Sequence, residues 1–200
     1  SMARRPDLEL FARKHGLRIG TIADLIRYRM EKEQTVERIF ERSVETEFGT
    51  LRLIAYDDHV NKVVHFALVA GEVKGDVPTL VRVHLQNTLS DVLEIRSEAL
   101  GWPFRNALAR ISREGGVAVV LRQREDPAAL IRALEVLPSD GGAAHDPHED
   151  GATVLRTYGV GAQILIDLGV RRMRVLSAPK KMHGISGFGL EVTEYLSGDD

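Results

Sequence analysis

"PFRNALARISREGGVAVVLRQ", Pro103 to Gln123, decides the fold class. Its first part reads as an amphipathic helix stopped by Gly115-Gly116, and "VAVVLRQ" as a strand apolar on both faces, hence buried. Upstream, from Val44, the period is two. "VETEFGTLRLIAYDD" (Val44–Asp58), "KVVHFALVAGEV" and "TLVRVHLQ" are three strand candidates divided by turn residues, with Asp57-Asp58 at the first turn. Such close spacing predicts antiparallel pairing through short loops. Downstream, "DPAALIRALEVL" is a helix with Asp126 as N-cap and Pro127 at N1. A helix "TVLRTYGVGAQILIDLGV", a strand "RMRVLSA", a basic turn "PKKMHG" and a strand "GLEVTEYL" complete the chain. The expected fold is therefore α/β (α+β): a mixed sheet of antiparallel and parallel strands covered by helices.

Asp7 to Glu33 reads as helix-rich, with Thr21 as an N-cap and breaks at Gly16 and Gly20. The charge run "RYRMEKEQTVERIFER" (27–42) predicts a solvated helix face or a linker. The divisions expected are a helical connector over 1–43 and a domain over 44–200, with a flexible loop over 138–152.

Bulk composition excludes several classes of function. The chain has 200 residues, 44% hydrophobic and 28% charged, and a formal net charge of −2, so no global field recruits nucleic acid or acidic membranes. There is no cysteine, which removes disulfides, thiolate metal sites and thiol nucleophiles. No apolar run approaches a membrane span, and residues 1–16 lack the apolar stretch of a secretory signal, so a cytoplasmic location is expected.

Candidate chemistry is sparse. In "LVRVHLQ", Arg82 and His84 alternate with Val81 and Val83, so both leave the strand on one face. His145, His148, Glu149 and Asp150 could gather a divalent metal, but they lie in a glycine-rich loop without partners to orient the imidazoles. "YGVGAQ" lacks the third glycine of a dinucleotide cradle, and its glycines read as close helix packing. Lys180 and Lys181 follow a strand's carboxyl end, where an anion could sit; a basic surface turn is the alternative. Asp57-Asp58 and Glu125-Asp126 are accounted for by a turn and by helix capping.

Several phrases, in order, resemble one family. "FARKHGLRIGTIADLIRYR" resembles the connector that follows the dihydroxybutanone phosphate synthase domain of bifunctional riboflavin-biosynthesis proteins. "ETEFGTLRLIAYDD", "HFALVAGEV", "LVRVH" and "LRTYGVGAQILIDLGVRRMRVLSAPKKMHGISGFGLEV" resemble the GTP cyclohydrolase II domain that comes next. The resemblance implies an N-terminal synthase domain as partner in the same chain, a homodimer, and a zinc-activated water that opens the imidazole ring of GTP.

The same resemblance implies losses. The three family cysteines that hold zinc fall on Asn87, Glu98 and Leu100, so no metal or other cofactor is expected here. The family's phosphate loop "RQEGRGIGL" becomes "RQREDPAAL", with Arg124, Glu125 and Pro127 in place of its acid and glycines. A catalytic tyrosine falls on Leu134, an acid on Val154 and a glutamine on Pro103. Arg156 is a retained remnant, and Arg82, His84, Ser177 and Lys181 match positions that contact nucleotide or phosphate. The implied function is a degenerate GTP cyclohydrolase II-like module that holds or tunes the attached synthase, with Leu25, Ile26 and Phe40 as apolar anchors. The alternatives are a nucleotide or phosphate sensor using Arg82, Arg156 and Lys181, and an enzyme with altered metal dependence through Glu98 and His84.

Overall fold

The computed structural model describes residues 5–20, 24–25, 28, 32–95, 102–135, 151–177 and 188–196. Seven strands form one mixed sheet: β1 Val36–Thr46, β2 Gly49–Asp58, β3 Val63–Ala70, β4 Thr79–Leu85, β5 Gly116–Leu121, β6 Arg172–Leu176 and β7 Glu191–Leu196. The helices are α1 Arg5–His15, α2 Thr88–Asp91, α3 Phe104–Glu114, α4 Pro127–Glu135 and α5 Gly151–Asp167. No described helix is long and apolar enough to cross a membrane.

The sheet order is β1-β2-β3-β5-β4-β6-β7. β1, β2, β3 and β5 pair antiparallel, while β5, β4, β6 and β7 pair parallel. The expected mixed, helix-covered sheet is therefore what forms.

Three local expectations need correction. "VETEFGTLRLIAYDD" is not one strand: it folds back at Glu47-Phe48, with Thr46 Oγ1 accepting from Phe48 N–H (3.1 Å) and donating to Gly49 O (2.8 Å). The charge run is neither helix nor linker beyond Thr35, because Val36–Arg42 belongs to edge strand β1. Its residues are exposed from Glu37 to Ser43, so the alternation that marks a half-buried strand is missing. Finally, β4 does not follow β3 as its antiparallel neighbour. β5 enters between them, because a strand buried along nearly its whole length gains most at the sheet's centre.

Each face of the sheet buries one helix. On one side Ala107, Leu108 and Ile111 of α3 pack with Leu80, Ala118 and Leu51. On the other, Val160, Ala162, Ile164 and Leu165 of α5 pack with Val81, Val117, Val119 and Leu121. Gly161 allows the second contact, since a Cβ there would lie 3.3 Å from Val83 Cγ1; the expected packing role of "YGVGAQ" holds at this glycine. Gly116, with φ of +143°, lets α3 turn straight into β5, and a Cβ would meet Leu80 O at 2.3 Å. The alternation read in "LVRVH" is borne out: Leu80 and Arg82 face the α3 side and Val81 the α5 side, and His84 stacks on Phe104 of α3.

Candidate functional site

β4, β5 and β6 run parallel, so their carboxyl ends bring together residues 86–95, 122–126 and Ser177. Open α/β sheets bind ligands at such an end.

Asn87 follows β4 in extended conformation, with φ of −141°, and is the N-cap of α2. Its Oδ1 accepts from Leu89 N–H (2.9 Å) and Ser90 N–H (3.3 Å). Asp91 closes the turn: its Oδ2 accepts from Asn87 N–H (2.9 Å) and sits 2.8 Å from His84 Nε2, and its Oδ1 accepts from Ser90 Oγ (2.8 Å). Burial alone would raise the Asp91 carboxyl, but these donors outweigh it and hold the group below the ordinary carboxylate range. Leu89 anchors the turn in the interior.

His84 is buried, and its ring stacks on Phe104 with centroids 4.8 Å apart. Burial pushes its imidazole below the usual value against the opposing pull of Asp91, so the neutral form, with Nε2–H donating to Asp91, is favoured. Arg82 is turned inward as well. Nη1 donates to Leu176 O (2.7 Å) and Nη2 to Trp102 O (3.2 Å), with the guanidinium 5.9 Å from the Trp102 ring centroid. Arg82 Nε is buried with no hydrogen-bond partner. The arginine thus ties β4 to the ends of β6 and of the segment before α3.

The segment after β5 is held by its own side chains. Glu125 accepts from Thr88 N–H (2.8 Å, Oε1) and Thr88 Oγ1 (2.7 Å, Oε2). Arg122 Nε donates to Gln86 Oε1 (3.1 Å), and Arg122 N–H donates to His65 Nδ1 (3.0 Å). That last bond fixes the tautomer: a backbone N–H can only donate, so the His65 proton is on Nε2, facing Asp58 Oδ2 at 3.2 Å. Asp126 Oδ1 caps α4 through Ala128 N–H (3.2 Å), as its position before Pro127 predicts. Glu125 takes no part in that cap; it reaches across to α2. α4 buries none of its residues, and Leu134 on it is exposed.

Of the residues singled out in the sequence, the fold therefore gathers Arg82, His84, Asn87, Pro103, Glu125 and Ser177 around the ends of β4 and β6. Pro103 is the N-cap residue of α3, and the Ser177 N–H donates to Val175 O (3.0 Å). Glu98, Leu100, His145, His148, Glu149, Asp150, Lys180, Lys181 and the side chains of Val154 and Arg156 lie outside the described residues. Among the described residues, no group of three or more His, Asp or Glu side chains could hold a metal ion. Asp91 and Thr88 were missed in the sequence, although "NTLSD" is a readable capping signal: Asn at the N-cap position with an acid four on.

The sequence profile of GTP cyclohydrolase II matches residues 37–197. The chain belongs to the GTP cyclohydrolase II family. It is 46% identical over 200 residues to a "3,4-dihydroxy-2-butanone 4-phosphate synthase" of Pseudomonas aeruginosa, covering 98% of this chain and 53% of that protein. With the protein of the same description from Photobacterium phosphoreum, identity is 44% over 197 residues, 98% and 53% of the two chains. With "Riboflavin biosynthesis protein RibBA" of Bacillus subtilis it is 39% over 201 residues, 97% and 50%. A solved relative, the crystal structure of RibBX, a two-domain 3,4-dihydroxy-2-butanone 4-phosphate synthase from A. baumannii, superposes with a TM-score of 0.70 at 40% identity, over 98% of this chain and 50% of that one. The chain thus spans about half the length of the relatives it matches.

Proposed function

We propose that this GTP cyclohydrolase II domain has lost its zinc and its catalytic groups and serves as a structural or regulatory module for an attached 3,4-dihydroxy-2-butanone 4-phosphate synthase domain. The observation that carries the reading is the state of Asn87. This residue stands where the resemblance puts a zinc thiolate, and its side-chain oxygen is spent on two N–H groups of α2. An amide, with Glu98 and Leu100 as the other positions, offers one hard anionic donor where a tetrahedral zinc site needs a set of sulfur or imidazole ligands. The residues do not fit the metal.

The former phosphate loop supports the same reading. A loop that grips phosphates offers backbone N–H groups and small residues, whereas here Glu125 supplies a carboxylate and takes the Thr88 N–H for itself. Two relatives at 44% and 46% identity are named for the synthase alone, while RibBA at 39% is named for the pathway. The sensor reading is less favoured because two carbonyl groups occupy the Arg82 guanidinium. An enzyme using His84 as a metal ligand would first have to break the His84–Asp91 pair.

The test is incubation of the purified chain with GTP and zinc or magnesium, with detection of formate and of the ring-opened pyrimidine. No product is expected. Turnover near about 1 per second, an ordinary enzymatic rate, would refute the reading. The module role is tested in the full-length protein by comparing synthase activity and oligomer size with and without this domain; identical values would remove it.

A further inference from the structure

The residues that lead into β1 are held by a side chain of α5. Gln163 Oε1 accepts from the Thr35 N–H (3.0 Å) and from Thr35 Oγ1 (3.1 Å), while Gln163 Nε2 donates to the Glu33 carbonyl (3.0 Å). Thr35 is 5% exposed and Val36 4%, so at Thr35 the amide satisfies a donor pair largely withdrawn from water, while its bond to Glu33 lies at the surface. One turn further along α5, Asp167 Oδ2 accepts from Arg38 Nε (2.9 Å), Arg38 Nη2 (2.7 Å) and Tyr56 Oη (2.6 Å). Gln163 and Asp167 are four residues apart and share one helix face. The Thr35 carbonyl is engaged too, by the His59 N–H at 3.1 Å. The chain's path from Glu33 to Arg38 is thereby fixed from two sides, by α5 and by the turn after β2.

We propose that Gln163, backed by Asp167, is a clasp that sets the direction in which the residues preceding Glu33 leave the sheet. An amide that donates to one residue of a short segment and accepts twice from another constrains angle as well as position, which a single contact or an apolar side chain cannot do. The clasp also gives α5 a mechanical role. Arg156 lies about two turns before Gln163 on the same helix, so a displacement of that end of α5 is carried to the exit point of the connector. The inference stands on this chain alone and does not require the module reading; where a synthase domain is attached, the clasp sets its orientation.

The absence of cysteine permits a clean experiment. Spin labels at Lys32→Cys and Glu72→Cys, both exposed positions, report the connector-to-sheet distance by pulsed EPR, alongside amide exchange at Thr35. Native Gln163 gives a narrow distance distribution. In Gln163→Leu the width should grow about two-fold and the Thr35 amide should exchange about ten-fold faster, with β3 and β5 unchanged. Gln163→Glu, which keeps the acceptor for Thr35 and loses the donor to Glu33, should fall between. An unchanged width in Gln163→Leu, or a native distribution already as broad as the variant's, overturns the proposal. Should Gln163→Leu not fold, an unchanged width in Gln163→Glu overturns it equally.

Discussion

Replacing Asn87 with alanine separates a helix cap from a metal ligand. The alanine removes the acceptor for the Leu89 and Ser90 N–H groups, which lie 2.9 and 3.3 Å from Asn87 Oδ1. Loss of such a cap costs about 1 kcal/mol, with about 2 as an upper value. The upper part of that range applies here, because α2 is a single turn whose Leu89 is 2% exposed and cannot move into water without further cost. For a domain of this size, about 1 kcal/mol corresponds to about 2–4 °C in Tm. Asn87→Ser, which restores a side-chain oxygen, should recover most of the loss. Asn87→Cys should behave like alanine, since a thiol accepts weakly and one sulfur does not make a zinc site. The assay is urea and thermal unfolding of each variant with and without zinc. A neutral Asn87→Ala, or a zinc-dependent rise in native Tm that the alanine variant lacks, would refute the reasoning.

Other perturbations follow from the same contacts. Arg82→Met leaves the Leu176 and Trp102 carbonyls without their donor and should cost about 1–3 kcal/mol in urea unfolding; a neutral substitution would return the arginine to the candidate ligand groups. Gly116→Ala brings a Cβ to 2.3 Å from Leu80 O and should destabilise by more than about 3 kcal/mol, read as loss of soluble folded protein or a collapsed Tm; a native-like Tm would contradict the α3–β5 junction described above. Acid should destabilise in two stages. Burial holds the His65 and His84 imidazoles below their ordinary 6.5, so the unfolded chain takes up protons first. Their contribution is complete above about 6.5 and is lost as pH falls toward the folded values, by up to about 1.4 kcal/mol per pH unit for each histidine. Asp58 and Asp91 are desolvated yet held below 3.8 by their hydrogen bonds, so a further loss follows under that pH. Urea midpoints measured from about pH 8 down to about 2.5 check both stages, and a flat profile would contradict the buried neutral histidines and their hydrogen-bonded carboxylates.

The fold was legible wherever side-chain pattern and burial coincide. Gly115-Gly116 ends α3 as read, β5 is buried as read, and Arg82 and His84 share a face because β4 alternates strictly. β1 was illegible for a physical reason. An edge strand exposed on both faces has no hydrophobic period, and its Glu and Arg residues imitate a solvated helix. The insertion of β5 between β3 and β4 was hidden as well, because local pattern sets what a strand is and not which neighbours it takes. In the candidate site, the resemblance marked Asn87 and residues 122–130 as departing from the family's pattern. It said nothing of the contacts these residues make. The capping of α2 is local and could have been read, whereas the Glu125–Thr88 bonds and the tautomer of His65 depend on contacts between residues 37 and 57 apart in the chain.

Asn87 and its neighbours form closed structural contacts, and the proposed inability of the site to hold zinc rests on them. Its most direct test is metal content. The purified chain would be saturated with zinc, passed through gel filtration, and analysed by elemental mass spectrometry in parallel with and without GTP. Only trace zinc is expected in both samples, well below one ion per chain. A stoichiometric ion retained through the column, and lost on Asn87→Ala, would contradict it.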